Sequence, residues 1–244
     1  MKYPDEPIHS VSELIEKLQA HIDIYAGPVW FRGQTNQLWN LEPKLLRGGN
    51  QIPETHYFTR FKQDASLIIN HQPKSEFDWL FLMQHYGVPT RLLDWSESPL
   101  VSLYFATTEL AEDGCLWVLL PTELNKISRY RSVYDFEIPS FEDPQLAPYI
   151  PSTIAAESKT SLDPMAAIAP RNSQRMQAQK GVFTISHREN TFINNLRLGG
   201  SADHIWRYVI PSASKDNILR ELKLLGYNKF QLFPELESLA ANLL

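Results

Sequence analysis

The sequence predicts an α+β fold: a mixed sheet, a buried helical hairpin and an irregular proline-rich insertion. Three observations carry that prediction. Helical spacing of apolar residues dominates the first third of the chain. Strand-like apolar runs occur both early and late, at 29–34, 114–120, 181–186 and 204–211, without regular alternation with helices. Prolines 121, 139, 144, 148, 151 and 164 interrupt every periodic run between about 121 and 165. With 244 residues, 43% of them apolar, the chain can bury a substantial core, and it reads as one domain, 1–244, carrying that insertion at about 121–165 as a cover or lid.

Each element has a local cause. Ser10 and Glu13 form a capping box ahead of Val11, Leu14, Ile15, Leu18 and Ile22, which predicts a first helix over 10–25. A turn at Ala26-Gly27-Pro28 leads into the short strand Val29-Trp30-Phe31, which ends in Arg32-Gly33-Gln34. Residues 54–69 again carry helical spacing. Residues 79–86 read as a buried helix closed by Gly87 at its C-cap, with Pro89 preventing continuation. Ser98 as N-cap and Pro99 in the first turn open a second buried helix, Leu100 to Ala106, and Arg91, Asp94 and Trp95 fall in the link of the resulting hairpin. GCLWVLL, MAAIAP, GVFTIS and HIWRYVIP read as strands. They are followed by a helix capped at Gly226, a strand at Lys229 to Phe233, and a last helix from Pro234.

Composition narrows the function classes. The net charge of −5 comes from basic and acidic residues spread along the chain, so there is no basic block to grip nucleic acid. The single cysteine, Cys115, lies in an apolar run and reads as core. The N-terminus lacks an apolar signal core, and no window holds about 18 uninterrupted apolar residues, so a soluble cytoplasmic protein with no membrane partner is expected. Seven histidines show no pair at i,i+2 or i,i+4, which argues against a metal site. Neither a Gly-x-Ser-x-Gly elbow, a phosphate loop nor a Gly-x-Gly-x-x-Gly turn is present.

Candidate site residues are polar side chains set where the pattern demands core: Arg32, Gln84, His85, Arg91, Asp94, Arg171, Arg175 and Gln179. A charge near the interior costs several kcal/mol unless it is paired, so each needs a partner or a ligand. Arg91 and Asp94, three residues apart, can pair with each other or cap helix ends. His85 can be an interior histidine bonded to backbone. Arg32 points toward binding, because an arginine at a strand end offers a planar fork to an anion and Gly33 would let a ligand approach the backbone.

The pieces WFRGQ, LMQHYGVPTRLLDWSESPLVSLYFA, QKGVFTIS and FQLFPELESLA, in this order from about residue 28 to the C-terminus, resemble the FRG domain, a family of bacterial and phage proteins named for its Phe-Arg-Gly motif. The resemblance implies Arg32, Gly33, Gln84, His85, Arg91, Asp94 and Trp95 as site positions. The order Arg32, then Thr184-Ile185-Ser186, then Glu235-Leu236-Glu237 is also similar to that of arginine–serine–glutamate ADP-ribosyltransferases. That second likeness implies NAD as substrate, and a toxin or phage-defence effector acting on a protein or nucleic-acid acceptor. In such a scheme Arg32 binds diphosphate and Thr184 or Ser186 orients the Arg32 side or the ribose. Glu235 or Glu237 faces the developing cation, and Trp30, Phe31 or Trp95 stacks on nicotinamide or adenine. Equally, Glu235 and Glu237 can be solvated first-turn acids favoured by the helix dipole. Two other functions stay open: a non-catalytic module using Arg32, Arg91 and Arg175 to bind a nucleotide or nucleic-acid phosphate, and a nuclease using His85 and Asp94.

Overall fold

The computed structural model describes residues 1–49, 52–69, 72–157, 159–189 and 191–243. Seven strands form one sheet: β1 (Glu6–Pro7), β2 (Trp30–Gln34), β3 (Leu92–Ser96), β4 (Gly114–Leu119), β5 (Met165–Ala167), β6 (Gly181–Ile185) and β7 (Ile205–Ile210). Their spatial order is β1-β7-β4-β2-β3-β6-β5. β1 pairs with β7 in parallel and the remaining pairs are antiparallel, so the α+β reading with a mixed sheet holds.

Helices pack on both faces of the sheet, some through an apolar stripe and some apolar nearly all round. On one face α1 (Val11–Ile22), α4 (Pro99–Thr107) and α8 (Ser212–Leu224) bury Leu14, Leu103 and Ile218 against Phe31, Leu116, Val118, Trp206 and Tyr208. A second cluster joins Trp30, Leu93, Trp95 and Trp117 to Leu41, Leu124 and Ile193. The third packs α3 (Glu76–His85), through Phe77, Leu80, Phe81 and Met83, on Leu92, Phe183 and Ile185. Each large side chain so buried contributes about 1.5–3 kcal/mol. α2 (Glu54–Ala65) lies beside α3.

Several expectations need correction. The two buried helices exist, but β3 runs between them, so they do not form a hairpin. Leu92, Leu93, Trp95 and Ser96 are buried while Asp94 is exposed, and this near-continuous burial hid the strand's two-residue period. The proline-rich stretch, expected as an irregular cover or lid, carries short regular elements. Pro121 and Pro151 open the short helices α5 (Pro121–Ile127) and α6 (Pro151–Ala156), and Pro144 opens a 3-10 turn, Pro144–Tyr149. Three of the six prolines that read as breakers act as helix starters, where their missing N–H costs nothing. Leu124, Phe141, Leu146 and Tyr149 then bury themselves in the core. Lys229 to Phe233 is not a strand, because Asn228 caps a helical turn there, α9 (Lys229–Leu232), by accepting from the Gln231 N–H. The first helix ends at Ile22. After α7 (Gln174–Ala178) and β6, the chain closes with α10 (Leu236–Leu243).

Candidate functional site

β2 pairs with β4 along its whole length, from Trp30 opposite Leu119 to Gln34 opposite Cys115, but it pairs with β3 only at Phe31 opposite Ser96. Beyond that contact the two central strands part. A cavity of about 350 Å³ opens at the split, walled by β2, β3, α3, α4 and α7.

Arg32 spans the gap. Its Nη1 donates to the Asp94 carbonyl at 2.6 Å, while its Nε is sealed from solvent without a partner. Burial lowers its pKa below the ordinary arginine value; the Asp94 charge opposes this and Arg47 adds to it. The residue thus stands in mid-strand with one arm of its fork already engaged, not free at a strand end. Gly33 also serves a different purpose from the one expected. A Cβ there would lie 1.8 Å from the Ser102 carbonyl oxygen and 2.7 Å from the Ala106 nitrogen, so the glycine admits the backbone of α4 instead of a ligand.

A directed hydrogen-bond chain orders the opposite wall. The Leu92 N–H donates to Thr90 Oγ1 (3.2 Å), Thr90 Oγ1 donates to Gln84 Oε1 (2.5 Å), and Gln84 Nε2 donates to Asp94 Oδ2 (2.7 Å). A carboxylate only accepts, so Asp94 fixes which way the Gln84 amide faces. Capping of α3 supports this wall from its far end, since Ser75 accepts from the Asp78 N–H and Asp78 accepts from the Ser75 N–H.

Cations and aromatic rings complete the lining. Arg47 Nε donates to the Glu42 carbonyl, and the Arg175 guanidinium lies 4.6 Å from the Phe233 ring centre. His85 is held below the ordinary histidine pKa by burial and then by Arg175, with Glu235 pulling the other way. Phe31, Phe81, Trp95, Phe105 and Phe183 supply apolar wall, and Trp39, 55% exposed, stands at the mouth. Gln34 ties down the loop that carries Trp39: its Nε2 donates to the Asn40 carbonyl and its Oε1 accepts from Trp117 Nε1. Gln179 also lines the cavity and donates to the Leu232 carbonyl.

Of the residues expected at the site, Phe31, Arg32, Gly33, Gln84, His85, Asp94, Trp95, Arg175 and Gln179 line this one cavity. The others lie elsewhere. Arg91, 2% exposed, neither lines the cavity nor pairs with Asp94: its Nε meets Glu54 at 2.7 Å and its Nη1 and Nη2 donate to the Ser186 and Tyr149 carbonyls. Trp30 is fully buried in the second core cluster. Thr184 is 1% exposed and accepts from Trp95 Nε1, and Ser186 is buried beside Arg91. Glu235 and Glu237 are exposed and outside the cavity lining, although the charge of Glu235 is felt at His85. Arg171 pairs with Glu97 on the surface. Among the described residues no cluster of three or more His, Cys, Asp or Glu side chains is placed to hold a metal. None of their helices is long and apolar enough to cross a membrane.

Residues 27–114 match the FRG domain. No curated protein and no solved structure matches the chain. The FRG segment supplies every cavity residue except Arg175, Met176, Gln179 and Phe183, which α7 and β6 add from beyond it. QKGVFTIS and FQLFPELESLA, the later pieces of the resemblance, fall outside the matched FRG span. Sequence reasoning missed Trp39, Arg47 and Thr90 within the FRG segment. Trp39 carries the one available signal, a large aromatic in a polar loop directly after the Phe-Arg-Gly motif.

Proposed function

We propose that the cavity at the parted strands binds a nucleotide-class ligand through its phosphate. The observation that carries this reading is the convergence of Arg32, Arg47, Arg175 and His85 with an aromatic wall in a single opening. An incoming phosphate would relieve the mutual repulsion of the arginines and give the sealed Arg32 environment its counter-charge. Rings such as Trp39 and Phe105 offer stacking surface to a base. A volume of about 350 Å³ is at the small end for ligand pockets, roughly 300–1,000 Å³, and suits one nucleotide or one half of a dinucleotide.

A second reading, NAD consumption, would draw on the charge of Glu235, which opposes the burial and the Arg175 charge that lower the His85 pKa. That scheme, which would make the protein an ADP-ribosyltransferase-like toxin or phage-defence effector, has to manage without Thr184 or Ser186, since both lie outside the cavity. The nuclease alternative keeps its two residues, His85 and Asp94, on one wall.

Calorimetric titration with mononucleotides, NAD and the corresponding nucleosides tests the proposal. Nucleotides should bind, nucleosides should bind far more weakly, and Arg47→Ala or Arg175→Ala should each weaken nucleotide binding about tenfold, as expected for one charge-assisted contact of roughly 1.5 kcal/mol. Equal affinity for nucleotides and nucleosides overturns the phosphate reading. Release of nicotinamide from NAD would select the second reading if Glu235→Gln abolishes it.

A further inference from the structure

We propose that Asp94, held by the Gln84–Thr90 relay, reads a hydrogen-bond donor on the edge of the ligand's base. This rests on the nucleotide reading above and adds to it a selectivity for bases that carry an amino group or ring N–H.

Asp94 is an exposed carboxylate in an otherwise buried strand, so its ionised form keeps its solvation on the cavity side. Its Oδ2 is occupied by Gln84 Nε2, and Arg32 bonds to its backbone carbonyl instead of to the side chain. Among the described contacts Oδ1 is not used. The carboxylate therefore presents acceptor capacity alone to the cavity, and an acceptor is satisfied only by a donor. It does so in a set orientation. The relay begins at a backbone N–H of β3 and passes through Thr90, which is fully buried, so each polar atom in it has one permitted direction. A freely rotating surface aspartate would read nothing, whereas one locked in register adds discrimination between donor-bearing and donor-free edges. Arg32 takes only the backbone carbonyl of Asp94, so phosphate anchoring leaves the carboxylate to the base. Phe81 and Phe183, whose rings stack on each other with centroids 5.2 Å apart, add apolar lining beside Asp94.

Competition binding with three ribonucleoside 5′-monophosphates tests this. Those of adenine and guanine carry N–H donors on the base edge, and that of unsubstituted purine carries none. Wild-type protein should prefer the first two about tenfold or more, the lower end of what a good side-chain-to-base contact discriminates. Asp94→Ala should bring the three affinities together. Thr90→Val should reduce the preference while leaving inorganic phosphate binding unchanged, and Thr90→Ser, which keeps the hydroxyl, should restore it. Equal affinity of the wild type for all three, or a preference that survives Asp94→Ala, overturns the base-reading role and leaves the nucleotide site standing. Binding of none of the three removes both. Circular dichroism of each variant confirms that lost preference is not lost folding.

Discussion

Gly33 and Arg32 are neighbours in one strand and their side chains take opposite faces, so they answer different demands. Gly33 is there because α4 lies against β2 with no room for a methyl group between them. Gly33→Ala should cost about 3 kcal/mol by overpacking, read as a lower urea midpoint, because the obstructing atoms are backbone and cannot rotate aside. Arg32 has the opposite environment: its guanidinium has space on the cavity side but little water. A motif containing both residues looked like one binding device in the sequence. The structure separates them into a packing requirement and a charge requirement, and the difference was illegible beforehand because a glycine adjoining a ligand and one adjoining a helix are the same letter.

At the level of elements, the least foreseen feature is the clamp around Arg91. Its guanidinium and backbone N–H join the first residue of α2, through Glu54, to the end of the Pro144–Tyr149 turn and to the residue after β6. Glu54→Ala leaves this cation buried and unpaired, and should cost about 3–5 kcal/mol in chemical denaturation. Nucleotide affinity of the folded fraction should not change, since Arg91 does not line the cavity. The same clamp explains why the proline-rich stretch packs. Short helices that propensity alone would not stabilise are held by long-range partners. Caps and their consequences were readable, as at Ser10, Ser98 and Gly87, because a cap is settled within four residues. β3 was not readable, since a strand buried on both sides looks like part of the helices that flank it.

For the molecule as a whole, three half-buried or buried histidines set its response to acid. Burial lowers the pKa of His85, His187 and His204 from the ordinary 6.5. Nδ1 of both His187 and His204 is enclosed without a partner. The unfolded chain therefore takes up these protons at a higher pH than the folded one does. Their contribution to stability should be fully present above about pH 6.5 and lost as the pH falls through the lower folded values. Urea midpoints should be flat from about pH 8 to pH 7 and decline below about pH 6. Substituting His204 by Gln should make that decline shallower, and an unchanged slope would show that carboxylates dominate it instead. A phosphate ligand should oppose the effect at His85, because an anion beside the ring favours its charged form.

The sequence by itself determined the α+β class, the helix caps at Ser10, Ser98 and Gly87, the burial of Cys115 and the similarity of residues 27–114 to the FRG domain. All of these depend on short-range chemistry or on residue order. Only the tertiary structure decided which polar residues meet. It brought Arg175 and Gln179 to Arg32 across more than half the chain, turned Arg91 away from Asp94 three residues later, and withdrew Thr184 and Ser186 into the core. The physical reason lies in the two central strands: they pair at one position and then part, and the space between them is a property of strand geometry that no local pattern of residues encodes.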